Sequence, residues 1–144
     1  MTVAAISEVL GGRKILRRSV ERDSELTVLT REGLPVKVLG RLAEELGIDC
    51  RRLALVIGIS ERTLSRRLAS GGRLTAQESD RTVRLARVVA MAIDTLSSAK
   101  KASLWLQSPN LVLEGQMPLD LLDTDTGVRS VETILGRIAY GIYS

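Results

Sequence analysis

The apolar positions of this chain recur at helical spacing and change phase at short polar breaks. Residues 35–46, PVKVLGRLAEEL, place Val38, Leu39, Leu42 and Leu46 on one stripe; Pro35 suits the opening turn and Gly47 the stop. Asp49 reads as the cap of a short helix, CRRLALVI, with Leu53, Val56 and Ile57 inward. Gly58-Ile59 reads as a tight turn, Ser60 as the cap of a second helix over 61–70, and Gly71-Gly72 as its end. Thr75 and Glu78 have capping-box spacing and open the longest predicted helix, 76–97. Within it LARVVAMAI (85–93) is apolar almost all round, which predicts burial on several sides or a helix–helix interface. Asp80 and Arg84 on the same helix have the spacing of an i,i+4 ion pair.

Farther along, a helix over 99–107 presents Ala102, Trp105 and Leu106, and Ser108-Pro109-Asn110 breaks it. Residues 111–117 read as a loop and Pro118 begins a single turn. Asp123 or Thr124 caps a last helix, 125–140, with Val128, Val131, Ile134, Leu135 and Ile138 inward and Gly141 as its stop. The beginning is less legible. Ile6, Val9, Leu10, Ile15 and Leu16 are amphipathic in places, but Gly11-Gly12 interrupts them. Segment 24–32 has Ser24 as a possible cap and fits a helix or a short strand equally well. The reading is all-α, in short helices.

Composition removes most enzyme classes. At 144 residues the chain is one ordinary domain or two small modules sharing a core. It has no Phe, and its aromatics are Trp105, Tyr140 and Tyr143, so aliphatic side chains must fill the core. It has no histidine, which excludes His general bases, His metal sites and Ser-His or Cys-His triads. Cys50 alone makes neither a disulfide nor a Cys-rich zinc site. The first residues lack the apolar run of a signal peptide, and no stretch reaches about 18 consecutive apolar residues. A soluble cytoplasmic protein with no cofactor, no metal and no membrane contact is expected, and it is not expected to be an enzyme.

The net charge of +4 is unevenly spread. Window 51–87 holds nine arginines (51, 52, 62, 66, 67, 73, 81, 84, 87) against Glu61, Glu78 and Asp80, a balance of 9 − 3 = +6, between nearly neutral flanks. Such a block within a helical pattern is a nucleic-acid footprint when its charges share a face, and a solvated surface otherwise. Residues 50–70 have the form of a helix-turn-helix: short helix, Gly-centred turn, capped second helix. At about 100° per residue, that second helix turns Leu64 and Leu68 inward and Arg62, Ser65 and Arg66 outward. Arginine there can contact guanine O6 and N7. Thr63 and Arg67 at the sides, and Arg73 in the following loop, suit phosphates. Two antiparallel helices in an ordinary bundle would show much the same pattern.

An ordered set of residues then resembles one family. Gly33-Leu34-Pro35, Leu42, Leu46-Gly47, Gly58-Ile59-Ser60, Arg62-Thr63-Leu64 and Arg66-Arg67 begin it. Leu74, Glu78-Ser79-Asp80-Arg81 and Leu85-Ala86 continue it. Trp105-Leu106, Pro109-Asn110, Gly115, Pro118-Leu119-Asp120-Leu121-Leu122, Thr124, Gly127, Val131, Leu135 and Tyr140-Gly141 complete it. From about residue 28 onward the chain resembles antitoxins of the Xre/MbcA/ParS type. It departs from them at Glu61, at the lengthened Gly71-Gly72 turn and at Thr95-Leu96.

The resemblance implies a helix-turn-helix domain over 28–85 and a small helical toxin-binding domain over 86–144, after a variable segment 1–27. It implies a cognate toxin of the NAD-degrading RES class, encoded next to the antitoxin, whose active site the antitoxin blocks. It further implies repression of its own promoter through operator DNA, as a homodimer within a larger toxin–antitoxin complex. Helix-turn-helix dimers read half-sites about 34–36 Å apart, and 85–93 is the candidate dimer interface.

Residues 98–144 carry no catalytic constellation. Asp123 and Asp125 read as caps; Trp105 reads as core or as a partner anchor. The apolar, aromatic tail has the character of a docking segment, and the resemblance directs Tyr140, Ile142, Tyr143 and Ser144 towards the toxin's substrate pocket. The other reading is a free-standing helix-turn-helix regulator with a small-molecule effector domain, which predicts an apolar cavity in the C-terminal half.

Overall fold

In a computed structural model, residues 2–141 are described, and their backbone is helical almost throughout. Helices α1 (Val3–Val9) and α2 (Gly12–Leu16) precede α3 (Asp23–Glu32), α4 (Lys37–Leu46), α5 (Cys50–Ile57) and α6 (Glu61–Ser70). The long α7 (Ala76–Leu96) leads to α8 (Ala99–Leu106), two 3₁₀ turns (Leu111–Leu113 and Pro118–Leu121) and α9 (Asp125–Ala139). Most starts are set by a side chain that satisfies an otherwise orphan amide. The hydroxyls of Ser60, Thr75, Ser98 and Thr124 accept from the N–H groups of Thr63, Glu78, Lys101 and Gly127. The capping box of Thr75 and Glu78 is present, and Thr124, not Asp123, caps the last helix.

Segment 24–32 is a helix. Its first turn is closed by Glu25, whose carboxylate accepts from the N–H groups of Glu21 (3.2 Å) and Arg22 (3.0 Å), so Ser24 lies inside the helix and does not cap it. Those amide bonds and Arg22 hold the Glu25 carboxyl below the usual glutamate range. Pro35 does not begin α4. It forms an isolated antiparallel bridge with Arg73, flanked by bonds from Val36 N–H to the Gly72 carbonyl (3.0 Å) and from Leu74 N–H to the Leu34 carbonyl (2.8 Å). Gly33 makes this crossing possible: at φ 99°, a Cβ there would stand 2.3 Å from the Leu74 carbonyl oxygen.

α7 is the axis. It packs against α1, α3, α8 and α9, and touches α5. Leu85, Ala86, Val88, Val89, Ala90 and Ala92 are buried in that packing. The all-round apolar stretch 85–93 is therefore internal to the chain. This corrects its expected use as a dimer interface, because the apolar sides of the helix already have partners. The opening segment is likewise structural: Ile6, Val9, Leu10, Leu16 and Val20 join the same core as Leu53, Leu64, Leu106 and Leu135. Leu68 is the departure in the core, 41% exposed where periodicity turns it inward. α6 reaches the core through its first turns, and Leu68 lines a surface groove with Ile15, Lys37 and Gly40.

Candidate functional site

The front of α6 is built from its cap outward. Gly58 leaves α5 in the left-handed region (φ 94°), and Ile59 is buried behind the turn. Ser60 accepts from Thr63 N–H (3.2 Å) and donates its own hydroxyl to Thr63 Oγ1 (3.0 Å). Thr63 is thus half-buried in the cap, with its own O–H left to donate. Arg62, Ser65 and Arg66 are exposed. Among the described residues neither arginine has a hydrogen-bond or ion-pair partner, so both guanidinium groups are available at the surface.

The rest of the arginine block is engaged. Arg51 pairs with Asp49 (3.0 Å) and Glu61 (2.8 Å), so the one acid at the front of α6 is already neutralised. That pairing holds the Asp49 carboxyl below its ordinary range. Arg67 pairs with Glu78, tying α6 to the first turn of α7. Burial pushes the Glu78 carboxyl up, but bonds from Arg67 and the Thr75 amide outweigh it and hold the group below the ordinary value. Arg73 donates through Nη1 to the Gly33 carbonyl (2.7 Å), and Arg81 does the same to that of Ile57 (3.1 Å). Arg52 meets Asp120 (3.3 Å), Arg84 meets Asp125 (3.4 Å), and Arg87 makes a two-pronged pair with Glu132 (2.9 and 3.2 Å). The expected Asp80–Arg84 pair is present at 3.7 Å.

The +6 balance of the window is therefore not a +6 face. Carboxylates from distant sequence (Asp120, Asp125 and Glu132) compensate much of it, at separations of 41 to 68 residues. A window count cannot register such partners. What remains at the surface without a partner is narrow: Arg62 and Arg66, one turn apart, with Ser65 between them.

The C-terminal half presents a different surface. Trp105 is half-buried and packs against the core, whereas Tyr140, just past α9, is 87% exposed. Ile142, Tyr143 and Ser144 lie outside the described residues. Leu104, Leu111 and Val112 are exposed apolar side chains that periodicity did not single out. Gly127 seats α9 against the second 3₁₀ turn; a Cβ there would fall 1.8 Å from the Leu121 carbonyl oxygen. A groove of about 350 Å³ runs between the first 3₁₀ turn and α9, lined by Val112, Leu113, Thr126, Arg129, Ser130, Thr133, Ile134 and Arg137. A cleft of about 780 Å³ opens instead in the N-terminal half, between α3 and α7.

Among the described residues no group of three or more acidic or Cys side chains is placed to hold a metal ion. No helix among them is long and apolar enough to cross a membrane. Burial, reinforced by Asp49, pushes the Cys50 thiol up, away from thiolate chemistry.

Two family models match the chain. One, described as the antitoxin Xre-like helix-turn-helix domain, covers residues 25–87. The other, described as the antitoxin Xre/MbcA/ParS C-terminal toxin-binding domain, covers residues 91–141. The chain is 34% identical to the antitoxin Xre of Photorhabdus laumondii over 120 residues, 83% of this chain and 81% of that protein. It is 34% identical to the antitoxin Xre of Yersinia enterocolitica over 113 residues, 78% of this chain and 76% of that one. A Sphingobium protein named Prs ADP-ribosylating antitoxin is 25% identical over 123 residues, 79% of this chain and 77% of that protein.

Proposed function

The chain belongs to the Xre antitoxin family, with its helix-turn-helix domain and its toxin-binding domain, and from that premise we propose how it acts. It binds a cognate RES-class, NAD-consuming toxin through its C-terminal half and shuts that toxin's active site. It also binds the operator of its own promoter through α6 and represses it, as a homodimer within a larger complex. It works in the cytoplasm by occlusion and contact, without chemistry of its own. The homodimer is assembled through a surface other than 85–93.

The observation that carries the DNA half is the selective freedom of Arg62 and Arg66. In a block where the other arginines are held by acids or carbonyls, these two stand unpartnered on the outward face of a capped helix. Ordered, uncompensated guanidinium groups at one-turn spacing suit the bases of a major groove. Arg73 keeps further donors for a phosphate while its Nη1 holds Gly33. Arg67, held by Glu78, contributes mainly by fixing the angle of α6.

The toxin half rests on the family match over 91–141 and on the exposure of Tyr140. Tyr140, with Ile142, Tyr143 and Ser144 after it, reaches the toxin's substrate pocket, and Trp105 braces the domain behind it. NAD as the toxin's substrate is supported by the Sphingobium relative's name, since ADP-ribosylation consumes NAD. The test is removal of residues 140–144, with NAD consumption by the purified cognate toxin as readout. The shortened chain should still form the complex but inhibit poorly. Undiminished inhibition would contradict the tail's role.

A further inference from the structure

We propose that the toxin docks on a preformed ridge of the C-terminal domain, made of the outer face of α9 and the shoulder Leu111–Val112. Its contact surface there would be an apolar socket rimmed by carboxylates. This rests on the toxin-binding reading above and specifies where on the domain, and to what chemistry, that binding occurs.

The shoulder is an unusual piece of backbone. Leu111 is 95% exposed and Val112 52% exposed, yet the turn that carries them is tightly organised. Asn110 is its hub. Its carbonyl accepts from the N–H groups of Leu113 (3.0 Å) and Gly115 (2.9 Å), and its own N–H donates to the Gln116 carbonyl (3.0 Å). Its side-chain oxygen accepts from Val112 N–H (2.9 Å). Leu113 is buried and pins the turn to the core, while Glu114 and Gly115 both adopt positive φ to close it. A loop fixed this firmly, with a leucine held in water, is preorganised for a partner and loses little freedom on binding.

α9 continues the surface. At about 100° per residue, Thr126, Arg129, Ser130, Thr133, Arg137 and Tyr140 fall on one face, opposite the buried Val128, Val131 and Leu135. Ser130 and Thr133 donate their hydroxyls back to the carbonyls of Thr126 (3.1 Å) and Arg129 (2.8 Å), which keeps that face low. The groove between ridge and shoulder is lined by two arginines and by no acid among the described residues, with Leu113 and Ile134 lining it as well. Charge complementarity therefore selects carboxylates on the partner's rim, and the leucine selects a pocket. The same face ends at Tyr140, so it is continuous with the segment assigned above to the toxin's active site. Ridge and tail make one path, with affinity at the shoulder and inhibition at the end.

The experiment measures binding of the full chain to the purified toxin encoded beside it, by surface plasmon resonance at several salt concentrations. Leu111→Asn with Val112→Ser should weaken binding by about 10-fold or more, mainly through faster dissociation. Arg129→Glu should slow association by several-fold and flatten its salt dependence. Both variants change exposed side chains, so thermal unfolding and operator binding should match the unsubstituted chain. If that chain binds the toxin and both variants bind as well, the ridge is wrong and the toxin-binding reading stands. If the Leu111 and Val112 changes instead alter the chain's own oligomeric state and leave toxin affinity intact, the shoulder is a self-contact and the proposal is overturned. If the unsubstituted chain does not bind the toxin, both readings fall.

Discussion

The Arg67 guanidinium donates to the Glu78 carboxylate across the turn between α6 and α7, and the same carboxylate closes the capping box with Thr75. One acid thus fixes both the start of the long central helix and the position of the helix that presents Arg62 and Arg66. Both partners are largely sequestered, with side chains 20% and 15% exposed. Such a pair resists solvent screening better than a surface one, and losing one partner strands the other.

Glu78→Gln should therefore destabilise the fold by roughly 1–2 kcal/mol at neutral pH. The Glu78 carboxyl sits below its ordinary value in the folded chain. Its contribution is complete above the ordinary glutamate range and is lost as pH falls through the depressed folded value. Urea denaturation of both proteins across acid pH should show the gap narrowing as pH falls. A constant gap would mean that the carboxylate's charge is not what stabilises this corner.

Arg66→Ala should relax operator base preference at one position by about 1–3 kcal/mol. Arg73→Ala should weaken all sequences alike and lower the salt slope by roughly one unit. It should also lower stability, because its Nη1 supports the Gly33 carbonyl. Quantitative footprinting on operator and scrambled duplexes separates the two. Equal, sequence-independent losses at both positions would remove α6 from the groove.

Gly127→Ala tests close approach without backbone strain, since the added Cβ would meet the Leu121 carbonyl oxygen at 1.8 Å. α9 would have to shift away from the second 3₁₀ turn. A loss of about 2 kcal/mol or more is expected, visible as a lower Tm by calorimetry. The same change at Gly136, where nothing lies within 4 Å of the added atom, should be neutral or slightly stabilising.

A double-mutant cycle on Arg87 and Glu132 should return a coupling of about 0.5–1.5 kcal/mol, since the pair is two-pronged and partly sheltered. The pair joins α7 to α9. Because their core is continuous, the single variants should still unfold in one transition. Separate unfolding of the two halves would contradict a shared core.

Much of the fold was legible because it is local. The caps at Ser60 and Thr75, the stops at Gly47 and Gly58, and the inward set Val128, Val131 and Leu135 are written within one or two helical turns. Segment 24–32 stayed ambiguous because Thr27, Val28 and Thr30 suit both structures; contact with α7 decides it. Pro35 fits a first turn, and only its bridge to Arg73, far along the chain, moves it out of α4. The candidate DNA face was half legible. Periodicity placed Arg62, Ser65 and Arg66 together, but which arginines are free depends on Asp120, Asp125 and Glu132 arriving from the other module. The apolar shoulder left no periodic signal, because Leu111 and Val112 sit in a turn whose order comes from Asn110's hydrogen bonds.

The central claim is that one chain holds a toxin silent. Its most direct test is NAD consumption by the purified cognate toxin, titrated with the full chain. Consumption should fall to background at a fixed stoichiometric ratio, with a tight complex at the same ratio on size-exclusion chromatography. Undiminished consumption at excess chain, with no complex formed, would contradict it.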